Sequence, residues 1–262
     1  MKSSFVINKR WWNKAAPIHL RSQLYNLKDF QKGKTSLQEI EVKELGNVRR
    51  KKLLHLLCHI GMDTLSLARK GAVVTGVDLS DESISIAKKL SLENKIPARF
   101  ISSNVYNLEK HLNGKFDIVY MSYGVLNWLP DLNKLAKVIN HFLKNGGSFY
   151  IVEVHPFTNL LTYDFKLEYK YFKKGPYADT SSGTYTDWNA KINGKTIEWS
   201  HTISEFINVL LSVGLKIEYV HEFPFTMYDQ FPGFMKRNNK GQYFLKNKKI
   251  EIPLLFSIKA TK

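Results

Sequence analysis

The chain has 262 residues, 44% of them apolar and 24% charged, enough for one packed α/β domain or one domain with a large insertion. No apolar run approaches the ~18 residues of a membrane span, and Cys58 is the only cysteine, which excludes an internal disulfide and points to a reducing cytoplasm. The formal charge of +16 raises nucleic acid as a partner, yet only seven of the 39 basic residues are arginine, the side chain that reads bases and phosphates bidentately, and the lysine excess is spread along the chain like a solvated surface.

The opening, Met1-Lys2-Ser3-Ser4-Phe5-Val6, carries no signal-peptide apolar core. Residues 1–50 read as an N-terminal cap segment, polar with interspersed aromatics, and a short helix is expected within 17–26. Ser36, with Glu39 at capping-box spacing, is expected to start a second short helix. Residues 51–262 read as the main domain, and from Lys52 its pattern becomes regular. Leu53-Leu54-His55-Leu56-Leu57 predicts a strand buried on both faces. A turn at His59-Ile60-Gly61 follows, then a helix capped by Asp63 or Thr64. Residues 73–77 predict a second strand, stopped at Asp78, and Ser80 caps the next helix. Residues 99–102 and 116–121 predict strands three and four. A helix over 131–143 and a stop at Asn145-Gly146-Gly147 lead to strand five at 148–154. This alternation predicts an α/β fold with a doubly wound, mostly parallel sheet, whose ligands bind at the carboxyl ends of the strands beside the switch in strand order.

The rhythm breaks at about 156–196, an aromatic-rich insertion after strand five that includes Tyr163, Tyr185 and Trp188. It is expected to form a lid over the substrate, with a small satellite core or a subunit contact as the other readings. A helix over 202–213 and strands over 216–221 and 250–260 complete the pattern.

In the turn from His55 to Thr64, Gly61 is the only glycine. Asp78 closes the next strand 17 residues later, where a carboxylate can accept hydrogen bonds from both ribose hydroxyls of an adenosine, and Ser80 as cap leaves it free to do so. Over about 52–154, in order and spacing, the turn, the run Gly71-Ala72-Val73-Val74-Thr75-Gly76-Val77-Asp78-Leu79-Ser80, the strand Phe116-Asp117-Ile118-Val119 and the turn Leu143-Lys144-Asn145-Gly146-Gly147 resemble class I S-adenosylmethionine-dependent methyltransferases. The turn is similar to that of a bacterial subset with a His-Leu-x-Cys-His-x-Gly-x-Asp-Thr motif. The resemblance implies a Rossmann-like sheet of seven strands with an antiparallel last strand, S-adenosylmethionine as cofactor and S-adenosylhomocysteine as product. It places Cys58, His59, Gly61, Met62, Asp63 and Thr64 around the methionine part. Asp78 and Ser80 fall at the ribose, Leu79 beside adenine, and Asn104 and Val105 at the adenine edge. Ser122, Tyr123 and Gly124 face the sulfonium and the acceptor, and Tyr25 covers the methionine carboxylate. His55, Leu57, His59 and Asn104 depart from the family pattern; Leu57 and His59 imply either an altered backbone path or a side chain lying against the methionine part.

The acceptor expected on this basis is a small molecule methylated at oxygen or nitrogen. Its candidate bases are His155, after strand five, and His19, from the cap segment, with Tyr123 beside them. Glu153 is expected to orient a histidine or bind an amine, while Tyr123, Trp128 and Tyr185 wall the acceptor pocket. No metal is expected: in a regular strand His55 points away from Cys58 or His59, and a fourth ligand is lacking. An RNA-modifying methyltransferase and a cofactor-binding protein without turnover are the alternatives. Ser122-Tyr123-Gly124-Val125 stands where an Asn-Pro-Pro-Tyr-type motif would favour nucleic acid. The oligomeric state is not legible in the sequence.

Overall fold

The computed structural model describes residues 2–172 and 174–262. The N-terminal segment is far more helical than expected. Helix α1 (Lys2–Arg21) runs 20 residues and contains Pro17, which corrects the short helix expected at 17–26. Its inward face is Ser4, Asn8, Trp11, Ala15 and His19, all buried at helical spacing. Polar Ser, Asn and His occupy three of those positions, so the face has no apolar stripe to read. After the short α2 (Leu27–Gln31), helix α3 (Glu39–Leu45) starts at Gln38 and not at Ser36, because the Gln38 N–H donates to the Glu41 carboxylate at 2.8 Å. Ser36 instead gives its hydroxyl to Asp63 at 2.6 Å.

The sheet follows the expected order. Strand β1 (Lys52–Leu56), helix α4 (Met62–Arg69), β2 (Val73–Asp78), α5 (Asp81–Glu93), β3 (Arg99–Ser102), β4 (Phe116–Ser122), α6 (Leu132–Phe142) and β5 (Leu143–Val154) alternate along the chain. An antiparallel hairpin of β6 (Tyr177–Ser182) and β7 (Asn193–Glu198) precedes α7 (Ile203–Ser212) and β8 (Lys216–Phe223). A second small hairpin, β9 (Met235–Arg237) with β10 (Tyr243–Leu245), precedes the last strand, β11 (Leu255–Thr261). The seven-stranded sheet has the order β3-β2-β1-β4-β5-β11-β8, and β11 alone runs antiparallel to its neighbours. Strand eleven is shorter than the expected 250–260, since it starts only at Leu255.

Period-two alternation buries both faces. Leu54, Leu56, Val119, Met121, Phe149 and Ile151 pack under α6 and α7, whereas Leu53, Val74, Ile118, Tyr120, Tyr150 and Val152 pack toward α3 and α4. The switch in strand order lies between β1 and β4, and their carboxyl ends open the crevice where this architecture binds ligands. The β6–β7 hairpin clasps α1. Asn8 accepts from the Ile197 N–H at 2.9 Å and donates to the Ile197 carbonyl at 2.8 Å. Among the described residues no helix is long and apolar enough to cross a membrane.

Candidate active site

The turn after β1 passes through three left-handed residues, Leu57 at φ 56°, His59 at φ 49° and Gly61 at φ 75°. A non-glycine residue costs about 1–2 kcal/mol in that conformation, so the surroundings must hold the turn. They do so by bonding the Cys58 N–H to the Val77 carbonyl and the His59 N–H to the Asp78 carboxylate, at 2.9 and 2.8 Å. Leu57 and His59 therefore adopt a glycine-like backbone, and both lie on the cavity wall. Gly61, not Asp63 or Thr64, is the N-cap of α4; Thr64 is buried in the first turn and hydrogen-bonds His55 at 2.8 Å. A Cβ on Gly61 would stand 2.7 Å from Phe100 and 2.8 Å from Ala87. Overpacking added to the left-handed strain predicts that Gly61→Ala loses about 3 kcal/mol. An unchanged urea midpoint would show instead that the turn moves freely.

Above the turn is a cavity of about 440 Å³. Its wall brings together Tyr25, Cys58, His59, Gly61, Met62, Asp63, Asp78, Leu79, Asn104, Val105, Ser122, Tyr123, Trp128 and Tyr185, the greater part of the residues singled out in the sequence. Asp78 touches the cavity but is enclosed by protein, which pushes its carboxyl up to about 6. It also accepts from the Ser80 N–H at 2.8 Å. Ser80 itself caps α5 and faces Asn13, off the wall. Asn104 spends its carbonyl on the Tyr106 N–H at 3.0 Å, so its amide group can present donors to the cavity. Cys58 is a buried packing residue whose thiol is pushed up by burial.

The roof is aromatic. Tyr25 and Tyr185 share a hydroxyl–hydroxyl bond of 2.6 Å that joins the cap segment to the hairpin region. Trp12 meets Trp128 edge-on, with centroids 5.1 Å apart. His19 lies behind this wall: its Nδ1 is 2.9 Å from His59 Nε2, and burial lowers its pKa to about 3. Such a ring stays neutral and is a poor proton acceptor.

Besides Thr64, Ser80 and His19, two more expected site residues are not brought to the cavity. His155 caps the short turn after β5, accepting from the Phe157 N–H at 3.1 Å and meeting Glu222 at 2.8 Å. Glu153 is buried under the loop after β4. It accepts from the backbone amides of Gly124, Val125 and Leu126, the latter two at 2.7 and 3.0 Å. Its carboxylate is filled by main chain, which leaves no oxygen facing an amine or a histidine.

Other wall residues went unread in the sequence. Trp12 comes from the missed face of α1, and Met227, Tyr228 and Arg237 come from the segment before β11. Glu41 on α3 is wholly buried and accepts from the Tyr120 hydroxyl and, at 2.8 Å, from the Tyr123 hydroxyl. Glu41 is a charged residue on a short helix, and nothing at the sequence level marks it.

A family model described as a methyltransferase domain matches residues 54–151. The chain is similar to the ubiquinone biosynthesis O-methyltransferase of Proteus mirabilis, 30% identical over 105 residues that cover 40% of this chain and 42% of that protein. It is also similar to that of Chromobacterium violaceum, 27% identical over 139 residues, 53% of this chain and 55% of that protein. The chain thus spans about half the length of the curated relatives it matches. Among solved structures, an S-adenosylmethionine-dependent methyltransferase from Clostridium acetobutylicum covers 95% of this chain and 98% of its own, with a TM-score of 0.58 at 19% identity. One from Mesorhizobium loti covers 84% and 94%, with a TM-score of 0.59 at 22% identity. At these identities the likeness establishes the fold, the Rossmann-like seven-stranded architecture of class I methyltransferases.

Proposed function

We propose that the protein is an S-adenosylmethionine-dependent methyltransferase acting on oxygen or nitrogen of a small-molecule acceptor. The observation that carries this reading is Asp78: a carboxylate at the end of β2, enclosed by protein yet lining the cavity, with each oxygen already holding one backbone amide. A carboxylate oxygen has a second lone pair, so both can also accept from a ribose. The cavity, about 440 Å³, falls within the ~300–1,000 Å³ range of small-molecule sites. Similarity to methyltransferases over 54–151, the segment that supplies Asp78 and the floor of this cavity, supports the same cofactor.

When bound, the sulfonium supplies an activated methyl group. The chain then has to position, desolvate and, for a hydroxyl, remove a proton. Asp78 would hold the ribose, Leu79 and Val105 would flank the adenine, and Asn104 would meet its edge. The left-handed turn through Gly61 brings backbone and Asp63 to the methionine part. Tyr123, Trp128 and Tyr185 form the acceptor side, and α1 with the β6–β7 hairpin acts as the lid that excludes water.

Calorimetry with S-adenosylmethionine and S-adenosylhomocysteine tests the cofactor directly. Binding of both in the micromolar range is the expected result. Absence of binding by the full chain would leave the fold in place and remove the proposed activity.

A further inference from the structure

Glu41 is a buried carboxyl that the positioning roles above do not use. It is fully buried, and among the described residues no cation faces it. From the N-cap of its own helix the Gln38 N–H points at it; from β4 comes the hydroxyl of Tyr120, and from the loop after it that of Tyr123. The nearby charged group is Asp63 on α4, of the same sign. Tyr150 on β5 stacks beneath Tyr120 and spends its own hydroxyl on Glu44. An uncompensated buried carboxyl is costly, and capping α3 does not need one. Tyr123 links it to the cavity. That residue follows β4 in a left-handed conformation, φ 44°, which a bulky side chain rarely adopts, and it forms wall together with Ser122 and Gly124.

We propose that Glu41, acting through Tyr123, takes up the proton of an aromatic hydroxyl acceptor; this rests on the methyltransferase reading and extends it to an acceptor class. The acceptor O–H bond breaks as its proton passes to the Tyr123 oxygen, while the Tyr123 proton passes to Glu41 Oε2. The acceptor oxygen's freed pair bonds the methyl carbon, and the old carbon–sulfur pair stays on sulfur. One cation and one anion disappear together, which a low-dielectric cavity favours. Burial pushes Glu41 up to about 8, nearer the ~10 of a phenol than the ~4.3 of an ordinary glutamate, as a base for a phenol requires. Trp12, Trp128, Tyr185 and Tyr228 supply flat apolar walls for a ring.

Glu41 is a positioning residue in this scheme, and its signature is a pH profile. With the full chain, S-adenosylmethionine and catechol as probe, the methylation rate should climb with pH and level off above about 8. Glu41→Gln should lower kcat roughly 100-fold or more, abolish the climb, and leave the calorimetric affinity for S-adenosylmethionine little changed. Tyr123→Phe should do the same. A Glu41→Gln protein that keeps the wild-type pH profile overturns the proposal. So does a wild type that binds the cofactor but never methylates catechol, a result that leaves the cofactor reading intact; failure to bind the cofactor refutes that reading instead. If Glu41→Gln does not fold, infrared titration of the wild type decides. A carboxylic C=O stretch that vanishes through about pH 8 and shifts in Tyr123→Phe supports the relay; a carboxyl already ionised near pH 6 overturns it.

Discussion

Asp78→Ala should weaken S-adenosylmethionine binding by about 100-fold. A hydrogen bond to a charged group contributes about 1.5–3 kcal/mol, and two ribose hydroxyls on one carboxylate give about 3 kcal/mol even at the low end, a factor of ~100 in affinity. The same carboxylate anchors the His59 and Ser80 amides, so part of any loss could come from a loosened turn. Comparing adenosine with 2′,3′-dideoxyadenosine separates the two causes. The wild type should prefer adenosine by a similar factor, whereas Asp78→Ala should bind both equally. A variant that still discriminates between them would move the ribose site away from Asp78. The pH dependence has a definite sign. The free protein's Asp78 is pushed up to about 6 by burial, and only the ionised form accepts from both hydroxyls. Affinity should therefore be full above about 6 and fall toward tenfold per pH unit below it, and Asp78→Ala should be flat over the same range.

The sheet was legible because its strands obey a rule that needs no partner: short apolar runs with both faces covered, punctuated by glycine and aspartate. The cavity floor was legible for the same reason, since Asp78 and Ser122 end strands and Gly61 and Asn104 follow them. Roof and depth were not. In α1 the inward face includes Ser4, Asn8 and His19, buried because Asn8 bonds the β7 backbone and His19 bonds His59. Their burial is decided by partners about 190 and 40 residues away, which no window of periodicity can see. Glu41 is the same case on a shorter helix, drawn inward by Tyr120 of β4 and by Tyr123 just after it. His155 and Glu153 show the converse: the end of strand five was correctly identified, but the Phe157 amide for His155 and the amides of the loop after β4 for Glu153 turn both side chains away from the cavity.

Glu153 carries the other large expected effect, and it is on stability. Its alanine variant would leave the buried amides of Gly124, Val125 and Leu126 without their acceptor. Each stranded donor costs about 1–3 kcal/mol, so about 4 kcal/mol is expected after relaxation, and a chain of this size loses roughly 10 °C of melting temperature for it. Glu153→Gln should fall in between, because its single amide oxygen can serve some of those donors while its NH₂ group opposes another. The loop held by these bonds presents Tyr123 and Trp128 to the cavity, so acceptor turnover in a cold, folded Glu153→Gln sample should suffer more than adenosine binding at Asp78, which sits on β2. A carboxylate that bound an amine acceptor would behave oppositely: its alanine variant would melt with the wild type and lose only acceptor affinity. One pair of melting curves distinguishes a group that builds the acceptor wall from one that touches the acceptor.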